Sequence, residues 1–448
     1  MIDHIFREYD IRGTVETDLT GELVLKLGKA VGTYLLEHNI KEMVVGRDCR
    51  LSSDSLRDSL VKGLLSTGID VVDIGVCHSP LLYFSLFHLD KNGGVMITGS
   101  HNPPEFNGFK ICRGKTTIYG SEIQKLKDII KKGTFTTGSG NLSDTDILPA
   151  YWNKIAEDIK LSKELKVVID AGNGTGGHAS VPLLKRLGCR VQELYCNMDG
   201  NFPNHHPDPT VPHCLKDLIE TVKKEKADVG IGYDGDADRI GAVDEKGNII
   251  WGDMLLIIFA REILKESPGA TFISEVKASQ NFYNDITQKG GRAVMWKTGH
   301  SLIKAKMKEE NALLAGEMSG HMFFAHRYFG FDDAVYATCR LLEILSQTKA
   351  PLSSLLSDLP ETFTTPEIRI DCPDSKKFEI TEKVKAHFKK SYETIDIDGV
   401  RILMENGWGL VRSSNTQPVL VLRFEADSRE RLEKIKNEVE SVVESFIS

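Results

Sequence analysis

Paired cysteines are missing from this sequence. The eight that occur, at positions 49, 77, 112, 189, 196, 214, 339 and 372, form no C-x-x-C and no metal-ligand spacing. They read as reduced, mostly buried thiols, which excludes a disulfide frame and a cysteine zinc site. No run of eighteen apolar residues occurs, which excludes a spanning helix. Charges fall within the first eight residues, where a secretion signal needs an apolar core, so a cytoplasmic protein with no membrane partner is expected. Basic charge is also short, with 56 Lys and Arg against 64 Asp and Glu and a net charge of −8. That argues against nucleic acid as a partner, and any anionic ligand must be met by a local basic pocket. Low-complexity tracts and short-period repeats are absent too.

What is present is length and rhythm. A chain of 448 residues exceeds one hydrophobic core and implies three or four domains. Short apolar runs alternate with amphipathic segments, as in strand 43–45, helix 52–66 and strand 70–74, the βαβ pattern of an α/β protein. The polar stretch 133–145 is the best linker, so a first α/β domain spans 1–149. A second, 150–251, opens with strand 165–170. A third, 252–365, has helix 253–265, strand 271–275 and helix 301–309. After Pro366 the strand-like runs 367–370, 400–404, 408–411 and 419–424 and the closing helix 428–445 give an α+β domain, 366–448. The fold class is α/β, with three related mixed-sheet domains followed by the α+β domain.

Four motifs carry chemistry. Thr-Gly-Ser-His-Asn-Pro at 98–103 ends an apolar run and sets the Ser100 hydroxyl beside the His101 imidazole. A serine needs such help to act as a nucleophile, although the same string could be a strand-capping turn. Asn107–Lys110 reads as a turn into a strand that folds Lys110 back over Ser100. Asp234, Asp236 and Asp238 stand at i, i+2 and i+4, so an extended backbone points all three carboxylates to one side. At about 4 Å and an effective dielectric near 20, each pair repels by roughly 4 kcal/mol. A hard cation, best Mg²⁺, relieves this, with Ser100 as a further oxygen ligand when phosphorylated. Arg239 adjoins the ligands and faces the transferring phosphoryl group. A calcium hand fails because Arg239 holds the position where the loop needs glycine.

Gly172, Gly174 and Gly177 match a dinucleotide fingerprint between a strand and a helix. A tight turn at a domain interface is the preferred reading. Glu317, Ser319 and His321 alternate along 316–321 and could share one side, a carboxylate and a hydroxyl suited to adjacent sugar hydroxyls. Arg412, Ser413, Ser414, Asn415 and Thr416 form a cation followed by small polar side chains, suited to cradling a phosphate. Arg47 and Arg50 receive no role.

In this order the four motifs resemble the α-D-phosphohexomutase family of phosphomannomutase/phosphoglucomutase type, over residues 6–424. The resemblance implies four domains that each lend one loop to a central cleft. It implies a serine, Ser100, that carries a phosphoryl group and turns a hexose 1-phosphate into the 6-phosphate through a hexose 1,6-bisphosphate, which also serves as activator. His101, Lys110, Arg239 and His300 then fall among the catalytic residues, with Lys110 the acid or base. Tyr9, Arg12, Lys277, Glu317, Ser319, His321, Arg412, Ser414, Asn415 and Thr416 fall in the substrate site, and Ser100, Asp234, Asp236 and Asp238 hold Mg²⁺. Met318 stands where glucosamine-phosphate relatives tend to carry glutamine, which favours mannose and glucose. Gln417 departs from relatives with glutamate. A phosphoglucosamine mutase or a metal-dependent sugar phosphatase is the alternative, and a monomer or weak homo-oligomer is expected.

Overall fold

The computed structural model describes residues 3–415 and 417–447. One arrangement occurs three times in it. Strands Glu42–Arg47, Asp70–Val76, Gly93–Ile97 and Phe106–Arg113 alternate with helices Ser53–Leu65 and Ser79–His88 in the order βαβαββ. The first strand pairs parallel with the second and the third, and the third turns back antiparallel into the fourth. Strands Lys166–Asp170, Arg190–Leu194, Val229–Tyr233 and Ile240–Asp244 repeat this pairing, and so do Thr271–Glu275, Arg292–Trp296, Leu314–Gly316 and Met322–Phe324. Gly93–Ile97 and Val229–Tyr233 are buried along their whole length, as expected of central strands covered on both faces. This distant repeat is carried by pairing and order, with no short sequence period to announce it.

The C-terminal unit is different. Its six-stranded sheet, from Phe363–Thr364 to Val419–Ala426, is antiparallel throughout and is covered by helices Lys377–Phe388 and Arg429–Ile447. Its core is its own, around Val384, Leu422 and Val439. By contrast one apolar core runs through all three α/β units, from Val44 through Ile231 to Leu342. The cap touches them through Val276, Trp408 and Leu410, and through two buried arginines. Arg401 donates to the carbonyls of Val276 and Ala278, and Arg423 to that of Lys277.

The expected strands and helices lie within about two residues of the observed ones. The linker 133–145 needs correction, because Leu142–Asp144 pairs parallel with Asp70–Val76 and belongs to the first sheet. All three of its residues are exposed, so this edge strand has no apolar signature. The eight cysteines are free, six of them buried. Among the described residues no helix is long and apolar enough to cross a membrane.

Candidate active site

The hairpin between the third and fourth strands of each unit carries one of the motifs. In the first unit it holds Ser100, whose backbone has a left-handed φ of +48°. Its N–H donates to Thr98 Oγ1 at 2.8 Å, and its Oγ donates to Asp234 Oδ2 at 2.7 Å, with His101 Nδ1 at 3.2 Å. Burial lowers the His101 pKa well below the ordinary range, helped by Arg239 and Arg12. The ring is therefore held neutral beside the serine.

The second unit's hairpin holds the aspartates, but not on an extended backbone. The Ala237 N–H closes a turn on the Asp234 carbonyl, and Ala237 has φ +53°. The carboxylates converge because the chain winds around them. One oxygen from each lies within 4.8 Å of the others. Asp234 Oδ1 accepts the N–H groups of Asp238 and Arg239. Lys110 Nζ donates to Asp236 and Asp238 at 2.7 and 2.5 Å, and Ser79 Oγ donates to Asp236. Asp236 Oδ1 and Asp238 Oδ1 are buried without a partner. Two orphaned carboxylate oxygens beside a third acid fit a divalent cation. Burial and its two acidic neighbours hold Asp234 well above the usual carboxylate range. Burial pushes Asp236 the same way, but Lys110 and Ser79 outweigh it and keep that carboxyl low. Burial would discharge Lys110, and Asp236, Asp238 and Asp332 keep it charged. Lys110 lies inside strand Phe106–Arg113, not after a turn; its side chain reaches the aspartates and not the serine.

Arg239 Nε donates to His321 Nε2 at 3.0 Å. His321 thus stands apart from Glu317 and Ser319, against the expectation of one shared side. Residues 317–320 form a turn with Gly320 at φ +94°, which rotates His321 toward Asp238 and Asp332, 3.6 and 3.3 Å from its Nδ1. Asp332 also takes Lys304 at 3.1 Å and lies 4.0 Å from His300. Glu317 and Ser319 do share a side, with Ser319 Oγ donating to Glu317 Oε2 at 3.1 Å. The other carboxylate oxygen of Glu317 fixes the Gly299 N–H. Lys277 pairs with Glu275 and Glu367, 3.6 and 3.1 Å away.

In the cap, Arg412 Nε donates to Asp398 Oδ2, which also accepts the Thr298 N–H. Asn415 donates to Tyr9 Oη, which donates to the Thr298 carbonyl. Lys377 Nζ gathers the carbonyls of Ser414 and Gln417. Thr416 lies outside the described residues. Arg12 sits near the serine loop, bonded to Asn102 and Asp10. The glycine turn at 172–177 lies against the aspartate loop. A Cβ on Gly174 would meet the Gly235 carbonyl at 2.5 Å, and Thr175 N–H donates to that same oxygen. Its space is filled by protein.

Ser100, Lys110, the three aspartates, Lys277, Glu317, His321 and Arg412 are each at most 5 % exposed. A hydroxyl aimed into a carboxylate cluster, walled from water and roofed by a separate unit, suits moving a phosphoryl group within a substrate without losing it to solvent. The class that builds this from three such units and a cap is the phosphohexomutases, a group of phosphotransferases.

Family models described as phosphoglucomutase/phosphomannomutase alpha/beta/alpha domains I, II and III and C-terminal domain match residues 3–137, 149–247, 251–363 and 367–442. The chain belongs to the phosphoglucomutase/phosphomannomutase family. It is 49 % identical over 433 residues to a phosphomannomutase/phosphoglucomutase of Pseudomonas aeruginosa, covering 96 % of this chain and 94 % of that one. It is 46 % identical to a phosphoglucomutase of Neisseria gonorrhoeae, covering 98 and 97 %. A crystal structure of a family protein from Burkholderia thailandensis superposes with a TM-score of 0.94 at 43 % identity, covering 99 and 98 %.

Proposed function

We propose that this chain interconverts hexose 1-phosphate and hexose 6-phosphate, for both mannose and glucose, through phosphorylated Ser100 and a hexose 1,6-bisphosphate. The observation that carries it is the Ser100 Oγ to Asp234 bond inside the acid cluster with its orphaned oxygens. Asp234, Asp236, Asp238 and a Ser100 phosphate oxygen would hold Mg²⁺, which when bound neutralises charge on the phosphoryl oxygens.

Each remaining residue then has a task. Arg239 presents its guanidinium to the transferring group, His101 stands beside the Ser100 oxygen, and Lys110 is the acid or base that works from its place on Asp236 and Asp238. His300 and His321 line the side where the attacking sugar hydroxyl must stand. Glu317 and Ser319 bind two neighbouring sugar hydroxyls. Arg412, Ser414, Asn415 and Thr416 hold the phosphate that is not reacting, with Tyr9, Arg12 and Lys277 at its margins. The first transfer breaks the Ser100 Oγ–P bond and forms an O–P bond on the sugar. After the bisphosphate turns over, its other phosphoryl returns to Oγ, so the net change is isomerisation and no water is consumed. The bisphosphate recharges any enzyme that has lost its phosphoryl group. Burial of the reacting groups supports transfer over phosphatase chemistry. We place the unit borders at 149/150, 251/252 and 365/366, and the enzyme in the cytoplasm as a monomer or weak homo-oligomer.

The test is a coupled assay on mannose 1-phosphate and glucose 1-phosphate with intact mass in parallel. The expected outcome is a kcat/KM ratio under roughly 10² between the two sugars. The mass should show a phosphoryl group on Ser100 that Ser100→Ala lacks, with loss of turnover. Chelation should stop the reaction and Mg²⁺ restore it. Full activity in Ser100→Ala, or undiminished turnover in EDTA, would remove the reading.

A further inference from the structure

Beneath the Ser100 loop lies an arginine that the proposed chemistry does not use. Arg50 follows strand Glu42–Arg47 of the first unit, and its side chain has no exposed surface. One terminal nitrogen donates to the carbonyls of Pro103 and Phe106, at 2.6 and 2.9 Å. The other donates to those of Ser100 and Asn102, at 2.8 and 2.5 Å. Nε lies 3.2 Å from Asp48 Oδ2. Four N–H bonds of one guanidinium are thus directed at carbonyls of one loop, while Nε makes no hydrogen bond and only lies beside the Asp48 carboxylate.

Asp48 completes the frame. It accepts the N–H of Arg50 and the hydroxyl of Ser53 on one oxygen, and the N–H of Gly99 on the other. The loop lies so close that a Cβ on Gly99 would come within 2.4 Å of Arg50 Nε. The Ser100 carbonyl is gripped from both sides, since a Cβ on Gly235 of the aspartate loop would sit 2.4 Å from it. Between these contacts Ser100 keeps its left-handed φ, a conformation that is uncommon for a serine and that these contacts support. That conformation is what aims Oγ at Asp234.

We propose that Arg50 is a positioning residue for phosphoryl transfer, fixing the Ser100 backbone so that its oxygen meets both the acid cluster and the substrate phosphate. It touches neither substrate nor the reacting atoms. Lysine cannot replace it, because a point-like ammonium with three donors cannot hold four carbonyls. The inference rests on the mutase reading, since it assigns Arg50 through Ser100.

The experiment is Arg50→Lys, checked for fold by circular dichroism and thermal melting. Readouts are steady-state KM and kcat and the single-turnover rate at which glucose 1,6-bisphosphate phosphorylates Ser100, followed by intact mass. A displacement of about 1 Å at a reacting atom costs on the order of 100-fold. The expected result is a folded protein with KM within threefold of wild type, and kcat and the phosphorylation rate both down about 100-fold. A folded variant with kcat within threefold, or one whose loss lies in KM alone, overturns the assignment. Should Arg50→Lys not fold, Asp48→Asn carries the test. It keeps the shape of the side chain while removing the charge that lies beside Nε, and the same split at about tenfold is expected. An unchanged kcat there overturns the proposal. Wild type run alongside separates the two failures. No phosphoryl group on its Ser100 sinks the mutase reading and this inference with it. A phosphorylated wild type with an indifferent variant sinks this one alone.

Discussion

Asp332 shows how one buried residue can order a site it does not enter. Arginine only donates, so the bond from Arg239 makes His321 Nε2 an acceptor and leaves the ring proton on Nδ1, which faces Asp332. Asp332 also pairs with Lys304 and neighbours His300. Asp332→Asn should therefore lower kcat by about 10² with little change in KM, because the ring loses the buried charge beside its Nδ1 proton and not its substrate contacts. Initial-rate kinetics on either sugar phosphate check this; a kcat within threefold of wild type would show that the Asp332 charge does not support the His321 ring. The residues legible in the sequence were those whose chemistry is local. Ser100 with His101, the three aspartates, and Glu317 with Ser319 each declare themselves within a few positions. Arg50, Ser79, Asp332, Lys377 and Asp398 did not, because each works on a loop far away in sequence and looks alone like any surface polar residue. The signal for Arg50 was its place in the strand-to-helix turn that holds the glycine turn in the second unit and Lys277 in the third.

At the scale of elements, helix Ala334–Gln347 begins on Asp333, which ties two units together. Its carboxylate accepts the Tyr336 N–H at 2.8 Å and the hydroxyls of Tyr151 and Tyr328. Tyr151 lies on helix Leu148–Asp158 at the start of the second unit. Loss of a cap costs about 1 kcal/mol and each buried hydroxyl left unpaired about 1–3 more. Asp333→Ala should melt several degrees below wild type in a thermal scan. Burial pushes the carboxyl up to about 7, above the roughly 3.9 of an unfolded chain. Below both values the native state suffers no penalty from this group; between them it holds a proton that the unfolded chain has lost, so stability falls as pH rises through that window. Asp333→Asn cannot titrate, so its melting temperature relative to wild type should be higher at pH 8 than at pH 5. Equal differences at both would mean that Asp333 is ionised throughout. Most element borders were readable because apolar runs and amphipathic helices keep their periods. The edge strand Leu142–Asp144 was not, since an exposed strand has no apolar face.

For the whole molecule, the buried site means that the structure is a closed form which must open to admit a sugar phosphate. The cap has its own core, and a few polar contacts bind it over the loops, among them Asn415 to Tyr9 and Glu367 to Lys277. Removing two contacts worth about 1 kcal/mol each shifts the balance of closed and open forms more than tenfold. Asn415→Ala combined with Glu367→Ala should raise the radius of gyration in solution scattering above the wild-type value, for which a compact chain of this length gives roughly 22 Å. An unchanged radius and unchanged KM would show that the apolar contact around Trp408 and the Arg401 and Arg423 bonds hold the cap without these two. The thrice-repeated βαβαββ unit carries a different kind of consequence. A complete map of tolerated insertions along the chain should dip three times at one architectural address, residues 98–105, 234–239 and 317–321. Sites such as Gly188, where an added Cβ would meet nothing within 4 Å, should accept extra residues without notice, so the enzyme's vulnerability would have a rhythm that its letters do not.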